Sequence, residues 1–378
     1  MTQVFPGQIL AGKYRVDRVL GAGGMGVVVA ATHLQLEERV AIKFLLPEAM
    51  QNPEAVARFG REARAAVKIR GEHVARVTDV GALETGAPFM VMEYLDGHDL
   101  SQLIRDRGAM PPADAVDAVL QACEALAEAH ALGIVHRDLK PANLFMIRRP
   151  DGTPSVKVLD FGISKLTNSA ASDHAMTRTS AIMGSPLYMS PEQMTASRDV
   201  DARTDVWAIG VVLYELLSGR VPFSAETLPQ ICALILTAAP PSIRQFAPNV
   251  PDALQAAVLR CLEKDRARRF QNVSELARAL APFGSRATSR SIERISRILG
   301  APSAAEPMPA SVPQAQTAGY EPSTQSNWGQ TNPSRSSTGP LIAAGAVAIV
   351  VLGSVVGFFL SRSKASATEA AASVSPVR

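Results

Sequence analysis

The residue types best suited to chemistry lie close together between His136 and Asn143, where the chain reads HRDLKPAN. Asp138 can orient an attacking hydroxyl group and accept its proton, and Lys140 can neutralise charge on a phosphate. Asn143 offers an amide oxygen to Mg²⁺, and Asp160, in a later Asp-Phe-Gly sequence, can hold the same ion against phosphate oxygens. These residue types in this order predict transfer of a phosphoryl group to a hydroxyl group.

A glycine-rich segment near the N-terminus is suited to holding the phosphates. Gly21, Gly23 and Gly26 have the spacing G-x-G-x-x-G, and glycines permit a turn whose backbone N–H groups face phosphate oxygens. Dinucleotide-binding folds share this spacing, but in those folds the loop opens a helix. Here the β-branched residues 27–29 continue as a strand, which disfavours the dinucleotide alternative.

A lysine and a glutamate extend this phosphate-binding end. Lys43 closes the apolar, strand-like run VAIK, and a buried ammonium group needs a charged partner. The next helix-like stretch, residues 53–69, offers Glu62. We expect a Lys43–Glu62 ion pair that fixes the ammonium group against the α- and β-phosphates.

Composition divides the chain of 378 residues into regions. Residues 14–283 alternate strand-like and amphipathic helical runs, as a folded domain does. Residues 284–340 are rich in Ser, Pro, Ala, Gln and Thr, which predicts a mostly disordered linker. Within it, residues 291–299 have isoleucines at helical spacing among arginines, which fits a docking helix, a membrane-surface helix or a frayed linker. The formal net charge of only +3 argues against a nucleic-acid binder. The three cysteines are scattered along the chain, which argues against a disulfide framework.

Together, the motifs resemble those of bacterial Hanks-type protein Ser/Thr kinases, over about residues 14–283. The resemblance implies an α+β, two-lobe protein-kinase-like fold. Residues 14–93 would form a small antiparallel β-sheet lobe with one helix, and residues 94–283 a hinge and a larger, mainly helical lobe. ATP would bind in the cleft between the lobes with Mg²⁺, or with Mn²⁺ in its place.

The resemblance assigns roles to further residues. Asp138 and Lys140 would be catalytic, and Asn143 and Asp160 would bind the metal ion. Met92 would stand at the back of the pocket, and backbone groups of a hinge would bind the purine. The remaining ATP-binding positions, beyond the three glycines, Lys43 and Glu62, would be Leu20, Val28 and Ala41 above the adenine, Phe145 below it, and Glu93, Tyr94 and Leu95 in the hinge.

The same resemblance implies the substrate class and some structural contacts. A lysine two positions after the catalytic aspartate, as at Lys140, resembles the pattern of the Ser/Thr branch of the family. Protein substrates with Ser or Thr acceptors are therefore expected. Glu192, in Ser-Pro-Glu where Ala-Pro-Glu is usual, would pair with Arg269. Asp205 would brace the catalytic loop. A pseudokinase scaffold and a small-molecule phosphotransferase are the alternatives from other functional classes.

Control by phosphorylation is the next implication. Arg137 directly precedes the catalytic aspartate, which in the family predicts activation by phosphorylation of the loop between residues 160 and 192. Thr177 and Thr179 best match the usual autophosphorylated pair.

A membrane anchor is expected near the C-terminus, in an uncharged segment that begins at Leu341 and ends at Leu360. Its length matches the hydrocarbon core of a bilayer, so it predicts one transmembrane helix followed by a short polar tail, residues 361–378. A G-x-x-x-G pair at Gly353 and Gly357 could join two such helices into a homodimer. Basic residues after the span favour a cytosolic tail. The need for ATP and the lack of a signal-like N-terminus instead predict a cytoplasmic kinase domain on a single-pass membrane protein.

Overall fold

The computed structural model describes residues 4–22, 26–161, 186–195, 200–286 and 288–300. Gly23, the predicted phosphorylation sites Thr177 and Thr179, and the apolar segment from Leu341 to Leu360 lie outside these residues. Across the described ranges, no helix is both long and apolar enough to cross a membrane.

The N-terminal lobe is an antiparallel sheet, because short β-branched runs with alternating burial are separated by tight turns. Its strands among the described residues are β1 (Ile9–Leu10), β2 (Tyr14–Ala22), β3 (Gly26–His33), β4 (Arg39–Leu45), β5 (Val77–Ala82) and β6 (Pro88–Glu93). Their order in the sheet is β1-β2-β3-β4-β6-β5. Val16, Val29 and Ile42 are almost fully buried on one face and form the core of this lobe with neighbouring aromatic residues.

Two helices, α1 (Pro47–Met50) and α2 (Pro53–Lys68), lie against the sheet. The side chain of Asn52 caps α2 by accepting a hydrogen bond from the backbone N–H of Glu54. Phe59 and Ala63 form the buried face of α2 and pack with Leu45 and Met90 of the sheet. This face is narrow and the rest of the helix is charged, so α2 lies on the surface of the sheet with Glu62 beside its buried stripe.

The C-terminal lobe is mainly helical and carries a second small sheet in the order β7-β8-β9, with β7 (Gly97–Asp99), β8 (Leu144–Arg148) and β9 (Pro154–Val158). Its helices in the described ranges are α3 (Leu100–Arg107), α4 (Pro112–Ala131), α5 (Pro191–Met194), α6 (Arg203–Ser218), α7 (Leu228–Thr237), α8 (Asp252–Cys261), α9 (Val273–Leu280) and α10 (Thr288–Ile298). Helix α6 is buried all round, so it is the axis of this lobe. The predicted fold, a sheet lobe followed by a helical lobe, is confirmed, with the short helix α1 in addition.

Helix α10 lies within the segment whose composition suggests a linker. It packs against α4 and α9, and the side chain of Ile295 is fully buried there. Thr288 donates a hydrogen bond to Asp117 of α4 over 2.8 Å, and the Ser274 and Ser296 hydroxyls lie 3.3 Å apart. The isoleucine spacing leaves open a docking helix, a membrane-surface helix or a frayed linker. In the structure the segment is a helix docked on α4 and α9.

A buried ion pair joins two parts of the helical lobe. Arg269 is fully buried, and two of its guanidinium nitrogens lie 2.7 and 2.9 Å from the carboxylate oxygens of Glu192. Arg269 also donates to the backbone carbonyls of Glu263, Lys264 and Arg203, so all three of its guanidinium nitrogens make hydrogen bonds. Such a pair is costly to break from one side, because the remaining charge stays buried without its partner.

We predict that Arg269→Met lowers the free energy of unfolding by about 3–5 kcal/mol, because it leaves the Glu192 carboxylate unpaired in a buried position. Urea denaturation of the chain ending at residue 300 measures this. The matched control is Arg268→Met, since the neighbouring side chain is 69% exposed. Equal losses in the two variants would contradict a special role for the Glu192–Arg269 pair.

The pH dependence of this pair is a second prediction. Burial raises the pKa of Glu192, but the hydrogen bonds and charge of Arg269 outweigh it and hold that pKa below its ordinary value. A carboxyl whose pKa is lowered by folding stabilises the protein above its unfolded pKa and loses that effect as the pH falls through the folded one. The stability difference between the wild type and Glu192→Gln should thus be largest above about pH 5 and shrink toward pH 3. A constant difference across urea melts in this range would oppose the prediction.

Candidate active site

One buried carboxylate holds the loop that carries Asp138. Asp205 lies in the first turn of α6 and is fully buried. Its oxygens accept hydrogen bonds from the backbone N–H groups of His136 (2.8 Å) and Arg137 (2.9 Å). His130 Nε2 lies 2.8 Å from the same carboxylate. Burial raises the pKa of Asp205, but the hydrogen bond and charge of His130 outweigh it and keep that pKa below its ordinary value, so the brace stays ionised.

The loop that Asp205 fixes has an unusual backbone at Arg137, where φ is 65°. A non-glycine residue in this left-handed region is strained, and the bonds to Asp205 hold it there. The next residue, Asp138, has its carboxylate 3.1 Å from the ammonium group of Lys140. The side-chain amide of Asn143 donates to the backbone carbonyl of Asp138 over 2.8 Å. This contact orients the Asn143 amide and leaves its oxygen as a potential cation ligand.

Asp160 is brought to the same place by a second set of contacts. The backbone N–H of Leu159 donates to the Asn143 carbonyl over 2.9 Å, and His136 Nε2 lies 3.0 Å from the Leu159 carbonyl. The rings of His136 and Phe161 are 4.8 Å apart. Asp160 also has a left-handed backbone, with φ of 47°, and its side chain is 43% exposed. The two predicted metal ligands, Asn143 and Asp160, therefore lie on adjacent, mutually bonded segments.

Lys43 connects the two lobes at this point. Its ammonium group is 2.7 Å from Asp160 Oδ1 and 3.4 Å from Glu62 Oε2. Burial lowers the pKa of Lys43, but the charges of Asp160 and Glu62 outweigh it, so the pKa is raised and the ammonium form persists. Burial also raises the pKa of Glu62, and the Lys43 charge offsets this only in part. The arrangement puts one fixed positive charge beside Asp160, one of the two predicted metal ligands.

The glycine-rich turn is described at its two ends, Gly21 in β2 and Gly26 in β3. A Cβ atom at Gly26 would lie 2.5 Å from the backbone oxygen of Phe44, so only glycine fits against the neighbouring strand. A Cβ at Gly21 would meet no protein atom within 4 Å. Gly26 is thus required by the sheet, whereas Gly21 leaves open space where the backbone could approach a ligand.

The predicted adenine-binding residues come from both lobes. Val28 lies opposite Lys43 in the sheet, and Ala41 lies opposite Met92. Leu20 in β2 is 39% exposed, and Phe145 in β8 is half-buried.

The hinge region follows β6. The Glu93 carboxylate is already engaged, 2.8 Å from Lys157 Nζ and 2.8 Å from the backbone nitrogen of Arg76. Tyr94 and Leu95 are half-buried. Tyr94 stacks under the guanidinium group of Arg39 at 4.5 Å. The backbone N–H of Glu93 is engaged too, because it donates to the Arg76 carbonyl over 3.0 Å. If Glu93 binds a purine, it must therefore do so through its backbone carbonyl.

Two partners in this site have no motif of their own in the sequence. His130 and Lys157 lie outside the recognisable segments, and each completes a contact between elements distant along the chain. The only sequence signal for the role of His130 is its position a few residues before the HRD segment. Lys157 lies in an alternating strand, and that pattern does not indicate its contact with Glu93. The donor set as a whole, an amide oxygen, carboxylates and a fixed ammonium group, fits a triphosphate with a hard divalent cation.

The family model described as "Protein kinase domain" matches residues 14–279. The chain is 39% identical over 270 residues to Serine/threonine-protein kinase pkn3 of Myxococcus xanthus, covering 71% of this chain and 49% of that protein. It is 37% identical over 270 residues to Serine/threonine-protein kinase PknB of Mycobacterium leprae, covering 71% and 42%. The chain thus spans about half the length, or less, of these curated relatives.

Solved structures give the same result for the fold. The crystal structure of the Mycobacterium tuberculosis PknI kinase domain is 29% identical, with a TM-score of 0.57, and the match covers 74% of this chain and 98% of that one. The family model covers most of the described residues, and the site above contains that family's motifs in their order. The chain therefore belongs to the protein kinase domain family, in its bacterial Hanks-type branch.

Proposed function

We propose that the chain transfers the γ-phosphoryl group of Mg²⁺-bound ATP to Ser and Thr hydroxyl groups of proteins. Two linked sets of contacts carry the proposal. Lys140 and Asn143 both contact Asp138, and Asp160, on the segment bonded to Asn143, contacts the Lys43 ammonium group. The Ser/Thr-kinase names of the relatives support the substrate class.

The roles of the residues follow from their contacts. Asp138 accepts a hydrogen bond from the acceptor hydroxyl and orients its oxygen toward the γ-phosphorus. It takes the hydroxyl proton as the new P–O bond forms and the bond from the γ-phosphorus to the bridging oxygen breaks, releasing ADP. Lys140, 3.1 Å from that carboxylate, stabilises the negative charge on the transferred group. Lys43 holds the phosphates that remain on the nucleotide. A divalent cation held by Asn143 and Asp160 would supply further charge neutralisation.

Activation by phosphorylation is the regulatory part of the proposal. The Nε atom of Arg137 is buried and has no hydrogen-bond partner in the part of the chain that the structure describes. Burial lowers the pKa of Arg137, which expresses the cost of leaving this charge poorly compensated. A phosphate on Thr177 or Thr179 would supply the missing acceptor oxygens and order the segment that carries it.

Membrane attachment rests on the sequence between Leu341 and Leu360. The kinase domain would be cytoplasmic, where ATP is available, and attachment would concentrate chains in two dimensions. Pairing through Gly353 and Gly357 would then favour phosphorylation of one chain by another.

We predict that Asp138→Asn lowers kcat by roughly 10²- to 10⁴-fold, because the amide can position a hydroxyl group but cannot take its proton. Transfer of labelled phosphate to a general protein substrate measures this. Asp106→Asn, a change of the same type at an exposed position in α3, is the control. Nucleotide binding by a wild-type protein that transfers no phosphate would instead favour a pseudokinase scaffold.

A further prediction concerns the two proposed phosphorylation sites. After incubation with ATP, mass spectrometry should find phosphate on Thr177 or Thr179, and the double change to Ala should lower activity toward a protein substrate about tenfold or more. Ser180→Ala, in the same segment, should have little effect.

Arg137→Ala should make activity independent of phosphatase treatment, because the group that the phosphate would bind is gone. If the phosphatase lowers the activity of Arg137→Ala and of the wild type equally, Arg137 is not the phosphate receptor.

A further inference from the structure

Outside the candidate active site, three side chains with metal-binding chemistry converge. Glu72 and His73 follow α2, and Glu124 lies in α4. One ligand atom of each lies within 4.8 Å of the others. His73 Nε2 is 3.7 Å from Glu124 Oε1 and 3.9 Å from Glu72 Oε1. Ligand atoms around a tetrahedral zinc ion lie roughly 3.3–3.6 Å apart for bonds of about 2.0–2.2 Å, so the two distances from His73 Nε2 exceed those values by only a few tenths of an ångström.

His73 is what distinguishes this cluster from a group of acidic residues. Only 3% of the residue is exposed, and Nδ1 lies 2.8 Å from the carbonyl oxygen of Val156. A carbonyl oxygen only accepts, so Nδ1 carries a hydrogen, and Nε2 of the neutral ring presents its lone pair to the two carboxylates. At 3.7 and 3.9 Å, these carboxylate oxygens lie beyond hydrogen-bond distance of Nε2. A hydrogen bond from one ring nitrogen to a carbonyl is the contact that typically orients a metal-binding histidine.

The carboxylates already attract a cation. Arg294 of α10 contacts Glu72 Oε1 through Nη1, which is also 3.3 Å from Glu124 Oε2. Arg149 Nη2 lies 2.8 Å from the other oxygen of Glu72. The Arg294 side chain is 50% exposed, and a half-exposed ion pair of this kind contributes little net stability. The guanidinium group is therefore a replaceable occupant, whereas Arg149 can remain on its own oxygen.

We propose that Glu72, His73 and Glu124 form a binding site for a divalent transition-metal ion of the Zn²⁺ class, which competes with the guanidinium group of Arg294. One imidazole nitrogen and two carboxylate oxygens suit Zn²⁺ or Co²⁺, with water in the fourth position. Mg²⁺ is disfavoured because it prefers oxygen ligands in a near-ideal octahedron. The proposal does not rest on the kinase activity proposed above.

Metal binding would change how α10 is held. Its buried Ile295 and the Thr288–Asp117 hydrogen bond would remain, so the helix would stay docked while it lost one ion pair near its C-terminal end. The ion and the docked Arg294 would then be coupled reciprocally, each weakening the other's contact with Glu72 and Glu124.

Metal titration of the full chain, freed of metal by a chelator and without nucleotide, tests the site. Binding of Co²⁺ is followed by visible absorption, and Zn²⁺ is measured by competition. Glu72→Gln should weaken binding at least about tenfold, because it removes a ligand at a half-exposed position where folding is not at risk. Arg294→Gln should tighten binding roughly two- to fivefold, because it removes the competitor.

Controls separate this site from the rest of the chain. Glu48→Gln and Arg290→Gln change the same charges at exposed positions and should leave the affinity unchanged. Asp160→Asn should also retain the signal, since it alters the active site only. No binding, unchanged affinity in Glu72→Gln, weaker binding in Arg294→Gln, or loss of the signal in Asp160→Asn would each overturn the proposal. A catalytically inactive chain that binds the metal as described would leave it intact.

Discussion

The candidate active site depends on the buried carboxylate of Asp205. An aspartate with no solvent contact is costly unless its oxygens are fully engaged, and here two backbone N–H groups and His130 engage them. Those two N–H groups belong to the residues just before Asp138. The free energy that would be lost by leaving Asp205 unpaired therefore acts to keep the loop that carries Asp138 in one conformation.

That conformation is strained at two positions of the site, which account for two of the four non-glycine residues with positive φ among the described residues. Arg137 and Asp160 both have a left-handed backbone, which side-chain-bearing residues rarely adopt. Strong contacts hold each strained residue. The backbone N–H of Arg137 donates to Asp205, and Leu159, just before Asp160, donates to the Asn143 carbonyl. Rigid anchoring of this kind keeps the Asp138–Lys140 and Asp160–Lys43 contacts in place.

Much of this arrangement could be predicted from the sequence, because kinase motifs combine several residue types at set intervals. The glycine-rich turn, Lys43, the HRDLKPAN segment and Asp160 each have a local pattern, and their order implied two lobes. The exceptions are instructive. The part of the presumed linker that forms α10 is helical because Ile295 finds a buried site between α4 and α9, and composition alone contains no information about that site.

The sequence by itself determined the family, the lobe order and the residue types of the site, because these follow from local patterns and from spacing along the chain. Only the tertiary structure decided which partners complete them. His130 reaches Asp205, Lys157 reaches the Glu93 carboxylate, and Arg294 reaches Glu72 across long stretches of chain. The physical reason is that a charged side chain on a surface and one in a buried pair look alike in a sequence. Their difference lies in desolvation and in distance, which only folding sets.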